Sequence, residues 1–191
     1  MRKMNELLKI AAFTPGENGT QGLPIVFWGA VGRAKTALGH QFAAYYAFAY
    51  RAMHLANYEP TDLSILMPNQ ETKALEPYIH KTFLECFENK YTMLFLDELS
   101  HASAATQAVA MPILLDRVIG DRKLPPSVGY EDKKTFIVAA ANPPGVAAMA
   151  TQMKMATCNR MTHIDIDKVL PVDELVDPWI EYTENCGGDA K

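Results

Sequence analysis

Two stretches of this chain have no polar side to show to water. Thr92 to Leu96 reads TMLFL and Thr135 to Ala141 reads TFIVAAA. A strand that is apolar on both faces must be covered from both sides, which a parallel sheet between helices provides. Leu23 to Trp28 (LPIVFW) is a third such segment, and Ala52 to Ala56 and Thr162 to Ile166 are shorter candidates. Between them lie segments of helical pattern: Lys35 to about Arg51, Lys73 to Asn89, and Ala104 to Leu115, where Pro112 requires a kink. Met1 to Ala12 reads as an amphipathic helix through Met4, Leu7, Leu8 and Ala11. Asn57 to Gln70, broken by Pro60 and Pro68, reads as a loop, and Gly120-Asp121 as a turn between two short strands within Arg117 to Leu124. Strands alternating with helices give an α/β sandwich with a mainly parallel sheet.

The composition narrows the class. At 191 residues with 49% hydrophobic and 21% charged residues, the chain is of ordinary globular type and one domain's length. A net charge of −4 argues against a general nucleic-acid coat. Cys86, Cys158 and Cys186 are far apart and form no CxxC pair, so a zinc site or disulfide framework is not expected. No apolar run reaches the roughly 18 residues of a membrane span, and Asn5, Glu6 and Lys9 break up the segment after the N-terminal charges Arg2 and Lys3. The expected compartment is the cytoplasm.

The first apolar strand runs into Gly29-Ala30-Val31-Gly32-Arg33-Ala34-Lys35-Thr36, and a helix begins at once. The phosphate-loop template GxxxxGK[ST] is met at its first glycine, its lysine and its threonine, while Ala34 stands where the second glycine belongs. Loop and helix N–H groups can cradle phosphates, the Lys35 ammonium can neutralise β- and γ-phosphate oxygens, and the Thr36 hydroxyl can ligate Mg²⁺. Ala34 costs little in a helical conformation and weakens binding if φ must be positive. A bare strand-to-helix turn is the alternative reading.

The TMLFL strand ends in Asp97-Glu98, at the end of a parallel strand where ligands bind. Asp97 suits Mg²⁺ and Glu98 suits polarising a water. Together with the phosphate loop, two apolar strands each end in a group that a nucleoside-triphosphate site needs.

Taken in order, LPIVFWGAVGRAKT, MLFLDELSHAS, TFIVAAANPPG and ATCNRMTHIDI resemble an AAA+ ATPase, and the stretch LDELSHASAATQAVAMPILLDRVIGDRKLP resembles its MoxR-like and dynein-related branch. The resemblance covers about residues 20 to 167. It implies a P-loop NTPase three-layer sandwich of AAA+ type around a mainly parallel five-stranded sheet, with ATP and Mg²⁺ as ligands. Residues 29 to 36 and Asp97 would then bind the nucleotide, with Thr36 and Asp97 on the metal. Glu98 would be the catalytic base, Asn142 the sensor of water or γ-phosphate, and Arg160 the arginine finger reaching a neighbouring subunit. The implied partners are further copies in a ring, a hexamer by resemblance, and a client or von Willebrand A-like adaptor protein. The expected organisation is an N-terminal helix and loop over 1–19, a nucleotide-binding core over 20–167 and a short tail over 168–191. The family's helical lid is thus missing or minimal, with one helix expected over Asp173 to Thr183.

Other roles are weaker in the sequence. Asp62 follows the second strand and could touch a substrate or simply cap a turn, and His101 and His163 read as structural or solvated. Three functions compete with an ATP-driven remodelling enzyme: a degenerate scaffold subunit that has lost its nucleotide, a DNA-associated ATPase, and a small-molecule kinase. Ala34 and the short C-terminal segment favour the first of these. The acidic charge disfavours the second, and the third lacks any second substrate site.

Overall fold

A computed structural model describes residues 2–16, 22–143 and 159–170 of the chain. Its centre is a parallel sheet of strands β1 (Ile25–Trp28), β2 (Ala49–His54), β5 (Tyr91–Asp97), β8 (Lys134–Ala141) and β9 (Thr162–Asp165), ordered β2-β5-β8-β1-β9. Two antiparallel hairpins stand outside it, β3 (Ser64–Pro68) with β4 (Leu75–Ile79), and β6 (Val118–Ile119) with β7 (Arg122–Lys123). The helices are α1 (Arg2–Phe13), α2 (Lys35–Tyr45), α3 (Pro60–Leu63), α4 (Lys81–Glu88), α5 (Ala104–Asp116) and α6 (Ile166–Val169).

The alternation of side chains along buried strands builds two cores. Val26, Leu94, Leu96, Ile137 and Ala139 face one side and meet Phe83 and Cys86 of α4 and Ala110, Ile113 and Leu114 of α5. Ile25, Phe27, Met93, Phe95, Phe136 and Val138 face the other and meet Leu38, Phe42 and Ala43 of α2 with Met4, Leu8, Ala11 and Ala12 of α1. Helix α1 is therefore part of the main core. Helix α2 comes so close to the sheet that a Cβ at Gly39 would lie 2.7 Å from a ring carbon of Phe95.

Register decides what happens at the carboxyl edge. Trp28 pairs with Ala141 on one side and Asp165 on the other, while Leu96 pairs with Ala139 and His54 with Asp97. The strands end almost flush, so the residues just beyond each of them emerge on one rim. Strand β1 lies at the switch point: the chain leaves it for the far edge at β2, returns through β5 and β8, and then crosses to β9. Crevices of this kind are where open α/β sheets bind ligands.

Four expectations are corrected. Helix α2 stops at Tyr45 instead of running to Arg51, because Ala47 takes a left-handed φ of 55° and the N–H groups of Ala47 and Phe48 close back on the carbonyls of Ala44 and Ala43. This is a Schellman termination without glycine. It frees Ala49–His54, not Ala52 to Ala56, to form β2. The expected loop over Asn57 to Gln70 contains α3 and β3; Asp62 caps α3 through a capping box with Glu59. The expected helix over Lys73 to Asn89 forms only from Lys81, since Pro77 removes a donor and biases Glu76 toward extended backbone. The Asn69 side chain turns the hairpin by accepting from the N–H groups of Glu71 and Thr72. The expected helix over Asp173 to Thr183, and Cys158, lie outside the described residues.

Replacing Gly39 by Ala inserts a methyl group against Phe95. Overpacking costs about 1–3 kcal/mol and the gain in helix propensity returns at most about 1 kcal/mol. We expect Gly39→Ala to lower the midpoint of denaturant unfolding with an unchanged m-value.

Candidate functional site

The loop after β1 ends in a strained cap. Ala34 is the N-cap of α2 at φ 53°, ψ 24°, in the left-handed region, and offers no side-chain hydrogen bond to the helix. Each feature is unfavourable for alanine: left-handed backbone costs an L-residue about 1–2 kcal/mol, and alanine is among the weakest N-caps. Gly32 is left-handed too, at φ 81°, and nothing lies within 4 Å of where its Cβ would stand. Val31, at the tip, is 75% exposed. The position of the missing second glycine therefore does require positive φ.

Lys35 folds back across this loop. Its Nζ donates to Gly29 O at 2.7 Å, Ala30 O at 3.0 Å and Asn142 Oδ1 at 2.7 Å. All three ammonium protons are thus used. Burial lowers the Lys35 pKa from its ordinary value, against the opposing pull of Asp97, Asp167 and Glu98. One residue on, Thr36 Oγ1 donates to Asp97 Oδ2 at 2.5 Å. Asp97 is buried, and its other oxygen accepts from the Glu98 N–H at 2.8 Å, while His54 Nδ1 stands 3.7 Å from Oδ2. Glu98 turns outward, left-handed at φ 55°, with its side chain exposed. Burial, reinforced by the charge of Asp97, raises the pKa of the adjoining Tyr50 hydroxyl.

Strand β8 delivers Asn142 to the same place. Its N–H donates to Ser100 Oγ at 3.0 Å, its Oδ1 accepts from Lys35, and its Nδ2 stands 3.5 Å from His101 Nδ1. Leu99 N–H, donating to Ala140 O at 2.9 Å, ties the turn after β5 to β8. Three strand ends therefore bring Lys35, Thr36, Asp97 and Asn142 into one hydrogen-bonded cluster, with Glu98 beside it. Arg160 does not join it: its guanidinium pairs with Asp116 at the end of α5, at 2.8 Å, and both side chains are more than half exposed. His163, for its part, accepts from Trp28 Nε1 at 2.6 Å and stacks on that indole.

Several neighbours escaped the sequence reading. Asp167 of α6 pairs with Arg33 and accepts from the Ala30 N–H at 3.3 Å, Ser100 and His101 hold Asn142, and His54 faces Asp97. The one available signal for Asp167 was its place just after the last apolar strand, at the same rim.

The oxygens of Thr36 and Asp97 are a hard donor set of the type Mg²⁺ takes. Among the described residues no cluster of three or more His, Cys, Asp or Glu could hold a metal ion.

No family model matches the chain, and no curated protein matches it in sequence. Solved structures do match in shape. A protein assigned as an ATPase from Cytophaga hutchinsonii superposes with a TM-score of 0.50 at 19% identity, covering 84% of this chain and 44% of that one. NtrX from Brucella abortus gives 0.56 at 14% identity over 98% of this chain and 42% of its own. A RuvB variant from Thermotoga maritima gives 0.59 at 14% over 97% and 50%. The chain spans half or less of the length of each of these proteins. Its fold is the α/β P-loop NTPase-like fold that these structures share, built on a mainly parallel five-stranded sheet.

Proposed function

We propose that this chain binds and hydrolyses ATP as an AAA+ protein of MoxR-like type, remodelling or assembling a client protein through a ring. The convergence of Lys35, Asn142, Thr36 and Asp97 from three strand ends supports the reading most strongly, since it sets a cation, a water-orienting amide and a metal-type oxygen pair at the mouth of a phosphate loop.

In this mechanism Lys35 exchanges its loop carbonyls and Asn142 for phosphate oxygens, and the N–H groups at the start of α2 take the remainder of the charge. Thr36 and Asp97 would hold Mg²⁺, whose charge would offset that of the phosphates when it is bound. Glu98, exposed beside the cluster, accepts a proton from water as its oxygen bonds to the γ-phosphorus. The bond from that phosphorus to the β–γ bridging oxygen breaks, giving ADP and inorganic phosphate. Asn142, released by Lys35, orients the water. Arg160 acts on a neighbouring subunit's nucleotide, so turnover requires assembly; the resemblance suggests a hexamer and a von Willebrand A-like adaptor. DNA is not the expected client.

A second reading has one observation behind it. Ala34 sits at φ 53°, and a chain that had lost its nucleotide would tolerate such a cap. The protein would then be a scaffold subunit.

Calorimetric titration with Mg-ATP, beside turnover measured across protein concentration, tests the first reading. Lys35→Ala should weaken binding at least about tenfold. Glu98→Gln should bind normally yet lose about 10²-fold or more in turnover. Arg160→Ala should bind normally and lose about 10³-fold. Rising turnover per chain with concentration is expected; concentration-independent turnover in a demonstrated monomer overturns the shared site.

Because burial lowers the Lys35 pKa from its ordinary value, the ammonium of the free site gives up its proton, as pH rises, earlier than that of an exposed lysine. Deprotonated Lys35 cannot neutralise phosphate. Mg-ATP affinity should therefore fall as pH rises, beginning earlier than an ordinary lysine would require, and Lys35→Arg should shift the fall to higher pH.

Ala34→Gly relieves the left-handed cap and should stabilise the fold by about 1 kcal/mol, after allowance for the freer unfolded chain. Denaturant unfolding measures this. Mg-ATP binding by Ala34→Gly, with none by the original chain, would put the scaffold reading first.

A further inference from the structure

A strained conformation persists only where the surroundings hold it. Around Ala34 two sets of ties do this. The first is internal: Lys35 Nζ on the carbonyls of Gly29 and Ala30. If Lys35 turns to phosphate, those bonds are given up at the moment the loop must keep its shape. The second set comes from outside the loop. The Asp167 carboxylate accepts from both the Arg33 side chain and the Ala30 N–H, so it spans the loop from its second residue to its fifth. Arg33 Nη2 continues to Leu170 O at 2.8 Å, and the side chain of Arg33 is only 13% exposed. Asp167 is itself seated, its N–H donating to Asp165 Oδ1 at 3.1 Å. Behind it Ile166 abuts the loop's first residue, with its Cβ 3.4 Å from where a Gly29 Cβ would stand.

We propose that Asp167 is a positioning residue for the phosphate loop, and that with Arg33 it holds Ala34 left-handed where a glycine would need no such support. The inference rests on the nucleotide reading of the site only for its effect on affinity. Exposed ion pairs alone are worth little. This carboxylate also takes a backbone N–H, and the guanidinium also reaches a backbone carbonyl, so the pair fixes the backbone on both sides of the loop. The tie involves neither Lys35 nor Thr36, and it does not depend on the bonds that Lys35 gives up when it leaves its carbonyls.

The signature of this role is coupling between positions 167 and 34. Four chains test it: the original, Asp167→Asn, Ala34→Gly, and both together. In the original background Asp167→Asn should weaken Mg-ATP binding about tenfold, the equivalent of the left-handed cost of an L-residue. In the Ala34→Gly background the loss should be less than about threefold. Amide hydrogen exchange over residues 29–38, without ligand, should accelerate on Asp167→Asn in the first background and stay unchanged in the second. Arg33→Lys, which keeps the charge and loses the planar fork, should behave as Asp167→Asn does. Equal losses and equal exchange in both backgrounds would overturn the proposal and leave Asp167 as an ordinary surface partner. If none of the four chains binds Mg-ATP, the nucleotide reading fails, and the exchange comparison still decides the clamp.

Discussion

Parallel pairing of β1 with β8 is the constraint on which the rest of this structure depends. Trp28 opposite Ala141 means that Gly29 and Asn142 leave the sheet side by side. With β5 one step along on the other flank of β8, Asp97 arrives at the same level. None of the three groups is near another in sequence, and none would meet another if the register slipped. A slip by one residue would also exchange the two faces of each strand. It would carry Phe27 and Phe95 into the core now occupied by Val26, Leu94 and Leu96. The packing that secures the core is therefore the same packing that assembles the cluster, and the site needs no separate device to align its strands.

The cluster balances charge as well as geometry. A half-buried ammonium is placed among Asp97, Glu98 and Asp167, and burial still outweighs their combined attraction on its proton. Lys35 spends its donors on two backbone carbonyls and an amide oxygen, all neutral acceptors. An anionic ligand with several oxygens would offer it a better partner than any of these. Asp97 stands in the complementary position, buried with a hydroxyl, one N–H and a distant imidazole, so its charge is only partly compensated. A cation on one side and an anion on the other describe a site with room in its electrostatics for a metal–polyphosphate pair.

How much of this was legible in the sequence depends on which interactions are local. The buried strands declared themselves, because an apolar run without alternation has few other solutions; Asp97 could be named because it closes such a strand, and Lys35 and Thr36 because they stand at template spacing in the loop that follows another. The segment between 46 and 80 was misread for the opposite reason. The end of α2 depends on Ala47 adopting a conformation that alanine seldom takes, and the β3–β4 hairpin depends on the Asn69 turn and on Pro77 more than on hydrophobic period. Even the contact beneath that hairpin, where a Cβ at Gly120 would lie 2.7 Å from Pro77, joins residues far apart in the chain. Ser100 and His54 were invisible as site residues, and Asp167 carried only its place after the last apolar strand, since none of these residue types marks what the fold will set opposite it.

Left-handed alanines recur in this chain, and they separate two ways of supporting strain. Ala47 ends a helix, where the N–H groups of Ala47 and Phe48 both find carbonyls, so the motif that needs the conformation also stabilises it. Ala34 begins a helix and receives no such return: its side chain caps nothing, and among the described residues its carbonyl is met by the N–H of Leu38 in the ordinary helical ladder. What holds it must come from neighbours, and those neighbours are Arg33 and Lys35, each flanking it and each anchored to a different part of the molecule. Lys35 looks inward to the strand ends and Arg33 outward to α6. A loop pulled from both sides in this way is preorganised without glycine, and its shape then depends on side chains that a glycine loop would leave free to vary.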